Sequence, residues 1–172
     1  ETIPLDWKTA WLFGMYVAEG CFATGTRSSR SIFSLGAHEK RLIKRLCDVI
    51  KSLGWKPYVE PEKRGGRCVF LFSTPFSKFL REVCGSDART KRIPEFILTH
   101  KNKTILGSFL EGYMAGDGCT ITTESGTRCE VGTTASKVLA LQLQMLSASL
   151  GNPFKINVKP ARICWIDGRR VN

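Results

Sequence analysis

Leu12-Phe13-Gly14-Met15-Tyr16-Val17-Ala18-Glu19-Gly20 is said again, nearly, by Leu110-Glu111-Gly112-Tyr113-Met114-Ala115-Gly116-Asp117-Gly118. The second acid lies 98 residues after the first. Each stretch reads as the apolar tail of a helix. In each, a glycine stands five residues before the acid, and a glycine follows it. Glycine after an apolar periodic run is a helix stop, so Glu19 and Asp117 are expected in last helical turns. An anion is disfavoured there, because the macrodipole leaves negative charge and unpaired carbonyls at that end. One such ending is an ordinary capped helix. Two with the same offsets imply two copies of one unit sharing a site, and something cationic to compensate it.

A second spacing says how the copies meet. Ala10, Gly14 and Ala18 recur every four residues, as do Ser108, Gly112 and Gly116. Such stripes let two helix backbones approach closely, although glycine inside a helix costs up to about 1 kcal/mol against alanine. Gly14, Ala18, Gly112 and Gly116 are therefore expected at a helix–helix interface, with Glu19 beside Asp117. Two carboxylates with helix-end carbonyls make a hard-oxygen site suited to Mg²⁺.

The repeat runs on outward from these helices. Cys21–Thr24 parallels Cys119–Thr122, and Gly25-Thr26-Arg27 parallels Gly126-Thr127-Arg128. Strands are expected around Ser31–Leu35 and Cys129–Thr133. Amphipathic helices follow at about 38–53 and 136–150, each closed by Leu-Gly. Pro57-Tyr58 and Pro153-Phe154 open a third strand in each copy, and Arg67–Phe72 and Arg162–Ile166 form a fourth. The order helix-strand-strand-helix-strand-strand suits an α+β class. The first repeat is residues 1–104, with an additional helix over Pro75–Cys84. The second, 105–172, stops about six residues after its last strand and lacks the 30 or so residues that finish the first.

Net charge is +11 over 172 residues, and 42% of residues are hydrophobic. A globular chain this basic points to nucleic acid or another polyanion, and argues against a carboxylate-rich metal store. The first repeat carries 19 basic and 10 acidic side chains, the second 7 and 5. Arg27, Arg30, Arg67, Arg128, Lys155, Lys159 and Arg162 fall on or beside strands. Alternation is expected to gather them on one sheet face opposite the core, where arginine can reach guanine or phosphate. Seven cysteines without a CxxC pair indicate neither a disulfide framework nor a zinc ribbon. A reducing intracellular compartment, cytoplasm or organelle, fits. No signal peptide or membrane span is read. A chain starting at Glu1 is expected to be a processed product, an excised segment or an engineered fragment.

On these two motifs the chain resembles the LAGLIDADG (dodecapeptide) homing endonucleases of the single-chain, two-motif type. The segment Lys91-Arg92-Ile93-Pro94-Glu95-Phe96, leading into Phe109-Leu110-Glu111-Gly112, also looks like the endonuclease domains found inside inteins. The resemblance implies a pseudo-two-fold pair of αββαββ(α) repeats, in which two antiparallel saddle-shaped sheets grip double-stranded DNA and the motif helices form the interface. It implies a monomer acting as a pseudo-dimer that hydrolyses phosphodiesters in both strands of a long target site. Glu19 and Asp117, with the carbonyls of Ala18 and Gly116, would hold Mg²⁺, or Mn²⁺ or Ca²⁺ in its place. The family often has a basic residue after the second strand, near the attacking water. His38 stands there in the first repeat, while Thr134-Ala135 offers none in the second. Intein splicing signals are not seen. The alternative is a nucleic-acid-binding relative with weak or no cleavage, an intron-splicing maturase or a DNA-binding regulator. No Ser-His-Asp arrangement suggests a covalent nucleophile.

Overall fold

The computed structural model describes residues 2–25, 28–122 and 124–159, with the backbone of 164–166 and 169–171. Two helices form its spine. α1 (Trp7–Glu19) starts where Asp6 accepts the Thr9 N–H at 2.9 Å, a side-chain N-cap. α5 (Lys103–Asp117) starts the same way on Asn102. Their stripes lie against each other. A Cβ added to Gly14 would stand 2.1 Å from the Phe109 carbonyl oxygen, and one added to Gly112 would stand 2.1 Å from that of Trp11. Backbone thus touches backbone, and only glycine fits. α1 is apolar almost all round, and Trp11, Leu12, Met15 and Tyr16 are fully buried. That is the signature of a core helix.

The first half wraps this spine with β1 (Gly20–Thr24), β2 (Ser29–Gly36), α2 (Lys40–Ser52), β3 (Tyr58–Val59), β4 (Gly66–Leu71) and α3 (Thr74–Cys84). The strands pair antiparallel in the order β1-β2-β4-β3. Register puts Phe33 opposite Val69 and Ser31 opposite Leu71, and all four are buried under the helices. α3 is tied to the same side of the sheet. Ser31 Oγ meets Ser77 Oγ at 3.0 Å, and the Arg81 guanidinium lies 4.9 Å from the Phe22 ring centre. A short α4 (Glu95–Leu98) leads into α5.

The second half has β5 (Gly118–Thr122), β6 (Arg128–Gly132), α6 (Lys137–Ser149), β7 (Cys164–Ile166) and β8 (Arg169–Val171). Ser136 caps α6 by accepting the Leu139 N–H at 3.2 Å. The halves are stitched together by Gln142, whose amide accepts from the Ile93 N–H at 2.7 Å and donates to the Ile93 carbonyl at 3.2 Å.

One expectation needs correction here. The third strand expected from Pro153-Phe154 does not form, since residues 152–159 carry no ladder. Phe154 instead folds back on α6, its N–H donating to Ser147 Oγ at 2.8 Å and its carbonyl accepting from Gln144. The expected strand over Arg162–Ile166 is present where the residues are described, as β7, and a further strand, β8, follows it. Among the described residues the second half therefore holds two separate two-stranded ladders, β5-β6 and β7-β8. Nothing equivalent to α3 covers the β5–β6 hairpin in the described residues, and the sequence there is adapted to water. Thr120 and Glu130 are exposed where the first half has Phe22 and Ser31 under α3.

Candidate metal centre at the helix junction

Glu19 and Asp117 come together because α1 and α5 end side by side. A Cβ on Gly116 would lie 2.7 Å from both Ala18 Cβ and Glu19 Cγ, so the last turn of α5 rests on that of α1. Both helices stop without a left-handed residue. Gly20 (φ −82, ψ 142) and Gly118 (φ −87, ψ 146) turn straight into strands β1 and β5. Glycine is required by space rather than by φ, since a Cβ at Gly118 would meet the Met114 carbonyl at 2.2 Å. The cap N–H groups of Gly20 and Gly118 return to the Tyr16 and Met114 carbonyls. Ala18 and Gly116 lie beyond those bonds, among the carbonyls that a helix leaves for other partners.

The electrostatics are those of an under-compensated pair. Burial, then the neighbouring Asp117 and Glu39, push the Glu19 carboxyl up to about 7, against a smaller opposing pull from Lys91. Burial pushes Asp117 up to about 6, again opposed by Lys91. Two half-buried carboxyls that hold protons near neutrality favour a cation in the proton's place. The donor set of two carboxylates and helix-end carbonyls fits a hard divalent ion that keeps several waters. Among the described residues no group of three or more His, Cys, Asp or Glu forms a metal cage.

Lys91 is the compensating cation that the helix ends call for. Its side chain is 5% exposed. Its Nζ donates to the Tyr16 carbonyl and, at 2.6 Å, to the Gly20 carbonyl. It also sits 3.9 Å from the centre of the Tyr16 ring. Burial lowers its pKa to about 8. The lysine caps α1 from a distance of 71 residues in sequence, which no local periodicity reveals. Its approach is set by the turn at Gly85 (φ 86), where a Cβ would stand 2.2 Å from the Thr90 carbonyl oxygen, and by Asp87, whose carboxylate takes the N–H groups of Arg89 and Thr90. The Lys91–Phe96 stretch was legible as a marker, but its place at the acids was not.

His38 is exposed in the turn between β2 and α2, its ring against Gly36. Its neighbour Glu39 is charge-coupled to Glu19 and accepts the Gly36 N–H at 2.6 Å.

The basic residues do not gather on one sheet face. Arg30 alternates with Ile32 on the open side, away from α1 and α3, and lies 5.5 Å from the Phe70 ring centre. Arg67 is in register with Leu35 and shares the side of Val69 and Leu71, toward the helices. Arg128 alternates with Glu130 and Gly132, and Gly132 backs onto the Tyr113 ring. It too points to the helix side, in the position that Ser29 holds in the first half. Lys155 and Lys159 are exposed on the strandless segment. Arg27 and Arg162 lie outside the described residues.

No protein-family model matches the chain. It is 33% identical over 155 residues to the ATP-dependent DNA helicase Hel308 of Thermococcus kodakarensis, covering 88% of this chain and 13% of that protein. It is 30% identical over 180 residues to the replication factor C small subunit of Methanocaldococcus jannaschii, covering 96% of this chain and 9% of that protein. It is 31% identical over 160 residues to a DNA polymerase of Thermococcus kodakarensis, covering 87% of this chain and 8% of that protein. The chain thus spans a small part of each relative. Among solved structures it is similar to I-DmoI in complex with DNA and Mn, with a TM-score of 0.59 and 10% identity, covering 91% of this chain and 85% of that one. The complex of I-DmoI with DNA and Ca gives 0.53 at 14% identity, covering 86% and 73%. The chain has the α+β fold of that LAGLIDADG homing endonuclease.

Proposed function

We propose that this chain is a site-specific DNA endonuclease of the LAGLIDADG type, hydrolysing both strands of a long target with Glu19 and Asp117 holding Mg²⁺ or a related divalent ion. The observation that carries the reading is the pair of acids at two adjoining helix ends, each held as a proton acceptor well above the usual carboxylate range. A bound divalent ion supplies Lewis acidity at the scissile phosphate and an activated water. The chain's own part is to hold two carboxylates and two helix ends in register through glycine contacts. Lys91 keeps the α1 end from accumulating negative charge, and Glu39 adds to the anionic field that attracts the ion. Double-stranded DNA as partner is supported by the +11 charge and by a fold shared with a protein crystallised on DNA.

Segments similar to this chain lie within a helicase, a replication factor subunit and a polymerase. A module carried by hosts with such different names has an activity of its own, as an endonuclease within an intein does. The test is incubation with a randomised duplex library, with and without Mg²⁺. Recovery of double-strand breaks at one sequence, only with the metal, supports the reading. Binding without cleavage at any divalent ion concentration would favour the maturase or regulator alternative.

A further inference from the structure

Resting on the DNA-binding reading above, we propose that the open face of the first sheet is a thymine-methyl reader, with Tyr58, Phe70 and Phe72 as its specificity-determining residues. Register lines Cys21, Ile32, Phe70 and Tyr58 into one row across β1, β2, β4 and β3. This is the face opposite the helices, where polar side chains are expected on a sheet with one side in water. Instead the Tyr58 and Phe70 ring centres are 5.7 Å apart, and those of Phe70 and Phe72 are 5.9 Å apart at 10° between planes. Tyr58 is 50% exposed and Phe72 47%. Arg30 closes one side, its guanidinium over the Phe70 ring and its Nε buried without a partner.

A row of rings beside one arginine, on a chain of net charge +11, is complementary to a surface that is anionic at its rim and apolar in its floor. A thymine-rich stretch of duplex has that character. Its phosphates line the groove, and its C5-methyl groups are the apolar features of the major groove that phenylalanine contacts. The rings are fixed to a sheet and carry few rotamers, so little entropy is lost on contact.

The experiment uses the full chain and a duplex recovered by binding selection from a randomised library. The recovered duplex is resynthesised with deoxyuridine for thymidine, which removes only the C5-methyl groups. Each buried methyl is worth about fourfold in affinity. We expect thymine-rich half-sites and an affinity loss of about tenfold or more on full replacement of a half-site. Tyr58→Ala/Phe72→Ala should bring the thymine-to-uracil ratio near one while leaving the salt dependence of binding unchanged. Two results overturn the inference and leave the endonuclease reading standing: a selected duplex bound equally well with uracil, or a double variant that keeps the parent's ratio. Tighter binding of single strands than of duplex also overturns it, in favour of a base-stacking platform. Failure to enrich any duplex removes both readings together.

Discussion

At the scale of single residues, the acids and Lys91 control one another. Glu19→Gln or Asp117→Asn should reduce double-strand cleavage below detection and leave DNA affinity within a few-fold, read by a plasmid cleavage assay beside a binding titration. Cleavage at the parent rate by either variant would remove these acids from the site. The same groups give a stability signature without metal. Both carboxyls bind protons more tightly folded than unfolded, so unfolding releases protons and stability falls as pH rises from about 4 to about 7. The metal-free protein should melt higher at pH 5.5 than at pH 7.5, and Mg²⁺ should raise the pH 7.5 value while flattening the dependence. Glu19→Gln should likewise flatten it. Lys91→Ala strands two carbonyls in a buried place and should cost about 1–3 kcal/mol, seen as a lowered Tm at neutral pH.

At the scale of elements, the contact between α1 and α5 turns on two glycines. Gly14→Ala already puts a Cβ 2.1 Å from a backbone oxygen. Backbone cannot yield like a side-chain tip, so the loss should reach about 3 kcal/mol or more. Gly107 is on the same helix α5, yet nothing lies within 4 Å of a Cβ added there. Gly107→Ala should therefore stabilise the protein by roughly 0.5–1 kcal/mol. Thermal melts of the two variants give opposite signs if close backbone packing is what the stripe is for. The stripes were legible because a four-residue period maps directly onto one helix face. The strand faces were less so. Arg67 reads as an outward residue until pairing with Leu35 turns it toward the helices, and the pairing is set by β2, more than thirty residues earlier. Pro153-Phe154 reads as a strand opener by analogy with Pro57-Tyr58, but Ser147 and Gln144 of α6 capture its backbone polar groups first.

At the scale of the whole molecule, charge and the asymmetry of the halves set how the proposed DNA partner would be held. Affinity should fall linearly with salt on a log–log plot, by about 0.9 for each phosphate neutralised. Arg30→Ala should weaken binding more than Arg128→Ala, because Arg30 stands on the open face and Arg128 on the side of Tyr113. Substitutions within 21–72 should cost more affinity than those within 119–166. Equal losses in filter-binding titrations would mean that both halves anchor the duplex alike. By itself the sequence showed a motif recurring 98 residues on, small-residue stripes through which the two helices meet, and an acid at the end of each. These are local periodicities and spacings, and the chain carries them wherever it folds. Only the tertiary structure decided which cation answers the acids, which sheet side Arg30, Arg67 and Arg128 take, and that an aromatic row rather than a basic one fills the open face. Those outcomes depend on strand register and on a lysine brought in from a distant turn, and both are fixed by packing rather than by any residue's neighbours in the chain.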